Sequence, residues 1–225
     1  MNSMYQQLMQ LPLFQGVSTD KISELVEKVP FHFLKFRNSE QIFAAGDPCT
    51  HMRFIVSGRV RLETPCDHLR VSMFQTLATP HVLAPEYLFG RETTYPYHAV
   101  ADGSCGILQL RKSDYIKMLG TDKIFLFNIL NYLSSGSQRA LASILATRDG
   151  SIVERLAMLV DALTVAGATD VMLRFKQKDL CALLGTQRTT LIASLEKLSD
   201  EDILDYDSNE LRVLDQQRLG DLIHK

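Results

Sequence analysis

Residues Asp179–Leu198 read DLCALLGTQRTTLIASLEKL and indicate two short helices rather than one long helix. Gly185 interrupts the apolar pattern, and glycine most easily adopts the left-handed conformation that follows the last turn of a helix. The apolar positions on both sides of this glycine are spaced to form one shared core, which consists of Leu180, Leu184, Leu191, Leu195 and Leu198. The stretch therefore predicts a helix-turn-helix.

The segments that flank this stretch predict β structure. Val171–Phe175 precedes it and has the length and composition of a short strand. Ile203–Tyr206 and Leu211–Leu214 follow it and enclose the turn residues Asp207–Asn209, which is typical of a hairpin, or wing. The alternative is an ordinary helical pair in an enzyme subdomain or an interaction module. The order strand, helix, glycine turn, helix and hairpin favours a winged helix-turn-helix instead.

The start of the second helix carries the side chains that we predict to contact DNA. In a helix-turn-helix the second helix lies in the major groove, with its N-terminal residues against the base edges. These predicted contact residues are Gln187, Arg188, Thr189 and Thr190. Arginine favours guanine and glutamine favours adenine. Lys176 and Lys178, near the start of the preceding helix, are better placed for phosphates.

The distribution of charge does not by itself predict a nucleic-acid partner. The chain has a net charge of −2, with 15 basic and 13 acidic residues before Gly150 and 9 basic and 13 acidic residues from Gly150 to the end. The part that contains the helix-turn-helix is therefore acidic overall, and a general basic surface is missing. The prediction of DNA binding rests on the helix-turn-helix pattern.

Short apolar runs separated by glycine, proline and aspartate fill the chain from Phe31 to Leu110, which predicts a β-sandwich or roll. The clearest runs are Gln41–Phe43, Met52–Val56, Val60–Leu62, Val71–Phe74 and Ile107–Leu110. Ahead of them, Ser18 precedes a segment whose apolar residues lie on one helical face. We expect this helix to pack on the roll.

A long amphipathic helix is predicted between Ser113 and Arg148. Its apolar seam recurs at spacings of three and four, and the seam residues are Leu126, Leu130, Leu133, Ser137, Leu141 and Ile144. Such a seam can pair with its own copy, which predicts a dimer interface; alternatively, the helix covers the roll within one subunit. The polar middle of the helix, Ser134–Gln138, is a place where a ligand could meet the interface or where the helix could bend.

A break at Asp149–Ser151 suggests a hinge between domains. Ser151 is a good N-cap for a new helix, and the glycine before it interrupts the preceding helical pattern. We therefore predict a β-roll sensor domain in residues 1–112, a dimerisation helix region in residues 113–148 and a DNA-binding domain in residues 149–225.

Composition narrows the class of protein. The chain has 225 residues, of which 46% are hydrophobic, and no apolar run approaches the length of a membrane span, so we expect a globular cytoplasmic protein without a membrane partner. Four cysteines, Cys49, Cys66, Cys105 and Cys181, occur singly without metal-ligand spacing, and we expect reduced thiols and no metal site. No catalytic constellation stands out, so an enzyme is not expected.

With these motifs in place, the chain from Phe14 onward resembles the Crp/Fnr family of transcription regulators. One matching segment is Ile42–Pro48, IFAAGDP, together with Phe54–Val60, FIVSGRV, which looks like the turn and strand signature of the cyclic-nucleotide-binding fold. The other is Asp179–Leu198, which looks like the helix-turn-helix of the family. Together the two segments are more specific than either one alone.

The resemblance implies a fold and a set of partners. The fold is α+β, with an N-terminal cyclic-nucleotide-binding-like β-roll (a double-stranded β-helix or jelly roll), a long dimerisation helix and a C-terminal winged helix-turn-helix. The implied protein is a homodimer that binds double-stranded DNA at an inverted repeat and contacts RNA polymerase if it is an activator. No resident cofactor is implied.

The region that would bind a nucleotide departs from the family pattern. In nucleotide-binding members of the family, backbone amides at a Gly-Glu pair and a later arginine hold the phosphate, and the glutamate binds the ribose. Here Pro85 replaces the glycine, Glu86 is retained and Tyr97 stands in place of the arginine. Cyclic AMP is therefore not the expected effector. The predicted effector pocket consists of Glu86, Tyr87, Tyr97, His98, Ser134 and Gln138.

Other departures leave several readings open. No cysteine precedes Cys49, so an iron-sulfur sensor is not expected, and isolated histidines such as His51 are more often ordinary polar side chains than haem ligands. The roll could bind an unidentified small ligand or nothing at all. Ile192, Ala193 and Ser194 also differ from the family pattern, which predicts a different operator. The alternative function is a sensor module that has lost DNA binding and acts through a protein partner.

Overall fold

The computed structural model describes residues 2–65, 71–146 and 150–224, which form two compact units. The first unit contains Met1–Leu62 and Leu77–Gly136, and the second contains Glu63–Thr76 and Ser137–Lys225. The predicted boundary at residues 148/149 lies outside the described residues, so the predicted division into three stretches stays a prediction. One feature of the second unit was not predicted, because residues 63–76 join it from the middle of the roll sequence.

The first unit combines antiparallel strands with four helices in its described residues. The helices are α1 (Asn2–Gln10), α2 (Thr19–Lys28), α3 (Lys112–Thr121) and the first part of α4 (Lys123–Ala146). The strands are β1 (His32–Phe36), β2 (Gln41–Phe43), β3 (His51–Thr64), β5 (His81–Leu83) and β6 (His98–Arg111), while β4 (Val71–Ala78) begins in the second unit. Strand β6 pairs with β1 and β2, and β5 pairs with β3. This arrangement confirms the predicted antiparallel N-terminal fold.

Aromatic side chains join the strands of the first unit to its helices. Phe14 packs edge-on against Phe54 of β3 and Phe125 of α4, with ring centroids 5.5 and 5.8 Å apart. All three side chains are buried, and Ile129 is buried on the same helix. One face of α4 is therefore part of the core of the first unit.

Asp122 separates helix α3 from helix α4. Its backbone is extended, which ends α3, and its carboxylate accepts a hydrogen bond from the backbone N–H of Ile124 at 2.9 Å, which caps the start of α4. Helix α4 is 24 residues long and runs through the polar segment 134–138 without interruption. The helix of about twenty-five residues that was predicted between Ser113 and Arg148 is confirmed as α4, and the separate helix α3 precedes it.

The second unit contains the predicted winged helix-turn-helix. Its helices are α5 (Ile152–Leu163), α6 (Gln177–Leu184), α7 (Arg188–Asp200) and α8 (Gln216–Asp221), and its strands are β7 (Thr169–Phe175), β8 (Leu204–Tyr206) and β9 (Glu210–Val213). Ser151 caps α5 in a reciprocal pair with Glu154, as the cap prediction required. Strand β9 lies between β7 and β8, and β4 pairs with the other edge of β7.

The predicted leucine core of the second unit is confirmed. Its five members are all buried, with exposed fractions between 0% and 4%, and they are Leu180, Leu184, Leu191, Leu195 and Leu198.

Among the helices in the described ranges, none is long and apolar enough to cross a membrane.

Gly58 offers a test of the first unit. Its φ is +78°, and an added Cβ would collide with the Ser104 carbonyl oxygen and lie 2.9 Å from Cys105 Cα. Gly46 has a similar φ of +85°, but an added Cβ there would meet no atom within 4 Å. Gly58→Ala should lower the free energy of unfolding by about 2 to 5 kcal/mol and Gly46→Ala by about 1 to 2 kcal/mol, since only the first adds a clash to the backbone strain. Urea denaturation would measure both, and equal losses would contradict the close approach of β3 to β6.

Candidate functional site

The turn of the helix-turn-helix is held by hydrogen bonds on both sides. Gly185 adopts the left-handed conformation with φ +59°, and the N–H of Thr186 donates to the Cys181 carbonyl at 3.0 Å. Arg155 of α5 donates from Nη1 to the Leu184 carbonyl at 2.8 Å and from Nε to the Gly150 carbonyl at 3.1 Å. The direction in which α7 leaves the turn is therefore determined by contacts from both α5 and α6.

The first turn of α7 is exposed and electropositive. Gln187 is the N-cap residue with an extended backbone, and its side chain makes no capping hydrogen bond within the described part of the chain. Arg188, Thr189 and Thr190 follow and are exposed. The first turn contains no acidic residue, so the partial positive charge of the helix N-terminus is not neutralised locally. The Gln187 amide and the Arg188 guanidinium are thus available to an anionic partner.

An open groove of about 710 Å³ runs between α6 and the start of α7. Its lining residues are Lys178, Cys181, Ala182, Gly185, Thr186, Gln187 and Thr190. Three predicted contact residues, Lys178, Gln187 and Thr190, therefore meet at one surface. Arg188, Thr189 and Lys176 are exposed but do not line this groove. The sequence prediction missed Thr186, Cys181 and Ala182, although their proximity to Gly185 could have indicated them.

Acidic and basic residues of the second unit are separated along the chain. Between Lys176 and Thr190 there are three basic residues, which are exposed, and one acidic residue, Asp179, which is buried. From Gly150 to the end of the chain, seven of the other twelve carboxylates follow the middle of α7, from Glu196 to Glu210. The net negative charge of this part of the chain therefore does not apply to the surroundings of Arg188 at the start of α7.

Helix α4 carries exposed apolar side chains that its own subunit does not bury. The exposed fractions are 39% for Leu126, 48% for Leu130 and 57% for Leu141. Leu133 is half-buried and Ser137 is exposed, whereas the side chain of Ile144 lies outside the described residues. The sequence prediction missed Phe127, which is 58% exposed. Exposed apolar stripes of this kind mark surfaces that bind another protein.

Glu86 lies in the short 3-10 helix Pro85–Tyr87, which begins after the left-handed Ala84. Its side chain is reached by solvent, but surrounding protein atoms desolvate the carboxylate and raise its pKa, while the nearby His81 opposes this shift. Burial and the Glu86 carboxylate together also raise the pKa of the half-buried Tyr87.

Tyr97 is buried at the position where the resemblance implies an arginine. Burial first, and then the neighbouring Glu86, Tyr87 and Tyr132, raise its pKa well above the ordinary value. Its ring lies 6.0 Å from that of Phe43. The phenol stays neutral, so it cannot neutralise a phosphate as a guanidinium would. Tyr132 of α4 is a residue that the sequence prediction missed, and its distance along the chain gave no signal.

The other predicted pocket residues have different surroundings. His98 accepts a hydrogen bond at Nδ1 from the backbone N–H of Ala45 at 3.2 Å, which connects β6 to the turn after β2. Ser134 is exposed on α4 in the first unit, and Gln138 is exposed in the second unit. The structure therefore groups Glu86, Tyr87 and Tyr97 with Tyr132, and it gives His98 a contact with the backbone of a turn.

The described cysteines have the surroundings of ordinary thiols. Burial raises the pKa of Cys49 and Cys105, and Cys181 is half-buried. In the part of the chain that the structure describes, no group of three or more His, Cys, Asp or Glu side chains comes together as a metal site would require. Cys66 lies outside the described residues.

Two family models match the chain in the same order as the two units. The cyclic nucleotide-binding domain matches residues 33–122, and the Crp-like helix-turn-helix domain matches residues 150–222. The chain belongs to the Crp/Fnr family. As a Crp/Fnr protein it is a DNA-binding regulator, and the family models confirm the resemblance that the two sequence segments indicated.

Solved structures of other proteins match this Crp/Fnr chain, and two of the matches are as follows. The catabolite activator protein of Thermus thermophilus is 20% identical over 95% of this chain and 98% of that chain, with a TM-score of 0.50. The c-di-GMP responsive global regulator CLP of Xanthomonas campestris is 16% identical over 86% of this chain and 98% of that chain, with a TM-score of 0.49. Only the first overlap supports the fold. Among curated proteins, no sequence matches this chain significantly.

Proposed function

We propose that this Crp/Fnr protein acts in the cytoplasm as a homodimer that binds an inverted repeat in double-stranded DNA, under the control of a small effector other than cyclic AMP. The observation that carries the proposal is the exposed first turn of α7, where Gln187 and Arg188 follow the turn at Gly185. A first turn of this kind is the part of a recognition helix that contacts base edges.

Roles for the interface residues follow from their positions. Arg188, Gln187 and Thr189 are the proposed base contacts, with Arg188 suited to the two acceptors of a guanine. Thr190 and Lys178 line the groove beside them and, together with Lys176, are suited to the phosphate backbone. Phosphate contacts would orient the helix, while the first turn would select the sequence.

The dimer is supported by the surface of α4. Leu126, Phe127 and Leu130 are each at least 39% exposed, on a helix whose opposite face is buried through Phe125 and Ile129. A self-complementary surface on each protomer would produce two-fold symmetry, and two-fold symmetry would place two recognition helices on an inverted repeat. Half-site centres should lie about one helical turn apart.

The effector proposal rests on the chemistry of Glu86 and its neighbours. The carboxylate of Glu86 and the phenols of Tyr87, Tyr97 and Tyr132 offer hydrogen-bond donors, acceptors and aromatic surface, and Tyr97 supplies no guanidinium at the position where the family pattern has one. The proposed pocket would therefore bind a small molecule other than cyclic AMP. RNA polymerase is a further proposed partner if the protein is an activator.

Leu130→Glu tests the dimer. The charge would be buried at the symmetric interface, so this variant should be a monomer at tens of micromolar, where the unchanged protein is a dimer. Ile116→Glu is the matched control, because Ile116 is 49% exposed and Leu130 is 48% exposed. Light scattering would give both masses. A monomeric mass for the unchanged protein would contradict the dimer.

Arg188→Ala tests sequence recognition. Loss of a bidentate contact to guanine should cost about 1 to 3 kcal/mol of base discrimination and relax one base position in each half-site. Lys178→Ala should weaken binding to all sequences alike and make the salt slope shallower by roughly one unit. Lys197→Ala, in the last turn of α7, is the control and should have no effect. Selection from random duplexes followed by fluorescence titration would measure these effects.

The same experiment separates the two candidate functions. If selection yields no inverted repeat and Arg188→Ala leaves any residual binding unchanged, DNA binding fails as an explanation. Action through a protein partner then becomes the better account.

Cyclic AMP is the test ligand for the sensor unit. Because Tyr97 provides no cation for the phosphate, calorimetry should detect no saturable binding of cyclic AMP. Low-micromolar binding that is abolished by Glu86→Ala, but kept by Glu92→Ala at an exposed neighbouring carboxylate, would overturn this prediction.

A further inference from the structure

Most of strand β4, Val71–Thr76, belongs to the second unit, although Leu77 and Ala78 at its end belong to the first. Residues Glu63–Thr76 are part of the second unit, whereas Leu62 and Leu77 are part of the first, and both of these leucines are fully buried. Strand β4 pairs antiparallel with β7 from Val71 opposite Phe175 to Thr76 opposite Thr169. The strand extends the sheet that carries the wing.

The inward face of β4 contributes to the core of the second unit. Val71 and Met73 are each 2% exposed, and Val171 and Leu173 of β7 are 1% and 0% exposed. Alternate residues of a strand point to the same face, so these four side chains form one apolar layer. The pairing is thus supported by burial as well as by backbone hydrogen bonds.

Gln75 joins β4 to the last residue of α5 and to the segment that follows it. It is 2% exposed, its Nε2 donates to the Leu163 carbonyl at 3.3 Å, and its Oε1 accepts from the Val165 N–H at 2.7 Å. The register shifts beside it, where Asp170 of β7 has φ +51°. A bulge that accommodates a buried and satisfied amide is a specific contact.

The outward face of β4 is connected to the wing. The guanidinium of Arg174 on β7 stacks over the ring of Phe74 with 4.7 Å between its central carbon and the ring centroid. The same guanidinium donates from Nε to Glu210 of β9 at 3.1 Å. Residues of β4, β7 and β9 are therefore in contact on this face as well.

We propose that β4 is a permanent strand of the DNA-binding unit and transmits changes in the sensor to it, with Gln75 as the positioning residue. Because Leu62 and Leu77 are buried in the first unit, a change in that unit would pull on both ends of the segment between them. Gln75 would pass the displacement to the end of α5, the helix whose Arg155 holds the turn before α7. The consequence for DNA rests on the proposed function, whereas the strand pairing does not.

A reversible cross-link tests whether the pairing persists in the DNA-bound protein. Ser72 and Arg174 are directly opposed on the outward face, and opposed residues of antiparallel strands have a Cα separation suitable for a disulfide. In full-length S72C/R174C we expect oxidation to form the bond and to leave DNA affinity within about twofold of the reduced form. The unchanged protein under the same oxidant controls for its native cysteines. Failure of the bond to form, or loss of DNA binding on oxidation, would overturn the proposal.

Gln75→Ala tests transmission, with Gln41→Ala at an exposed strand position as the control. Gln75→Ala should lower the midpoint of thermal unfolding by roughly 2 °C or more, because two buried hydrogen bonds are lost. A purely structural role of Gln75 would produce this loss of thermal stability and no change in the hydrogen-exchange response to DNA. In hydrogen exchange, saturating DNA should slow the amides of residues 77–83 in the unchanged protein and in Gln41→Ala but not in Gln75→Ala. Equal slowing in all three proteins, or no slowing in any of them, would contradict transmission.

The cross-link distinguishes failure of the strand pairing from failure of the proposed DNA-binding function. If the unchanged protein binds no DNA, the operator proposal falls, while the yield of the cross-link in free protein still decides whether β4 and β7 are paired. A high yield supports the strand pairing, and no bond refutes it.

Discussion

The left-handed turn at Gly185, held by the guanidinium of Arg155, is the constraint on which the DNA-binding surface depends. Helix α6 ends there because Gly185 carries no Cβ, and the last carbonyl of α6 is satisfied by an arginine from α5. A buried leucine core then fixes the rotation of α7, so that its first turn is exposed. The chemistry of Gln187 and Arg188 becomes useful only because this backbone geometry presents it to solvent.

The local distribution of charge in the second unit, unlike its net charge, favours DNA binding at the first turn of α7. The unit is acidic in total, yet seven of its carboxylates lie between Glu196 and Glu210, whereas the exposed Lys176 and Lys178 lie near the start of α6. Since screening by salt limits interactions between exposed charges to about 10 Å, the local pattern matters more than the net charge. An acidic far end would also disfavour non-specific binding to DNA.

The first unit matches the cyclic nucleotide-binding domain but departs from the family pattern at the residues where a nucleotide would bind. Tyr97 is a neutral phenol where the family pattern has an arginine, and the neighbouring Glu86 is a desolvated carboxylate. The charges at these two positions therefore differ from those of a nucleotide-binding member. Proteins that share one fold often bind different ligands, because the polar groups of the site can change while the fold stays the same. The transmission proposed for strand β4 would connect a conformational change in the first unit to the DNA-binding unit along the chain.

The sequence by itself determined the elements that depend on near neighbours in the chain. The cap at Ser151, the turn at Gly185 and the five-leucine core follow from periodicity and backbone preferences, and all were predicted. Only the tertiary structure decided which distant residues meet. The amide of Gln75 reaches Val165 across 90 positions, Tyr132 approaches Tyr97, and His98 binds the backbone of Ala45 across 53 positions. Local preferences contain no record of these pairs, because strand partners and helix contacts are selected by burial of the whole chain.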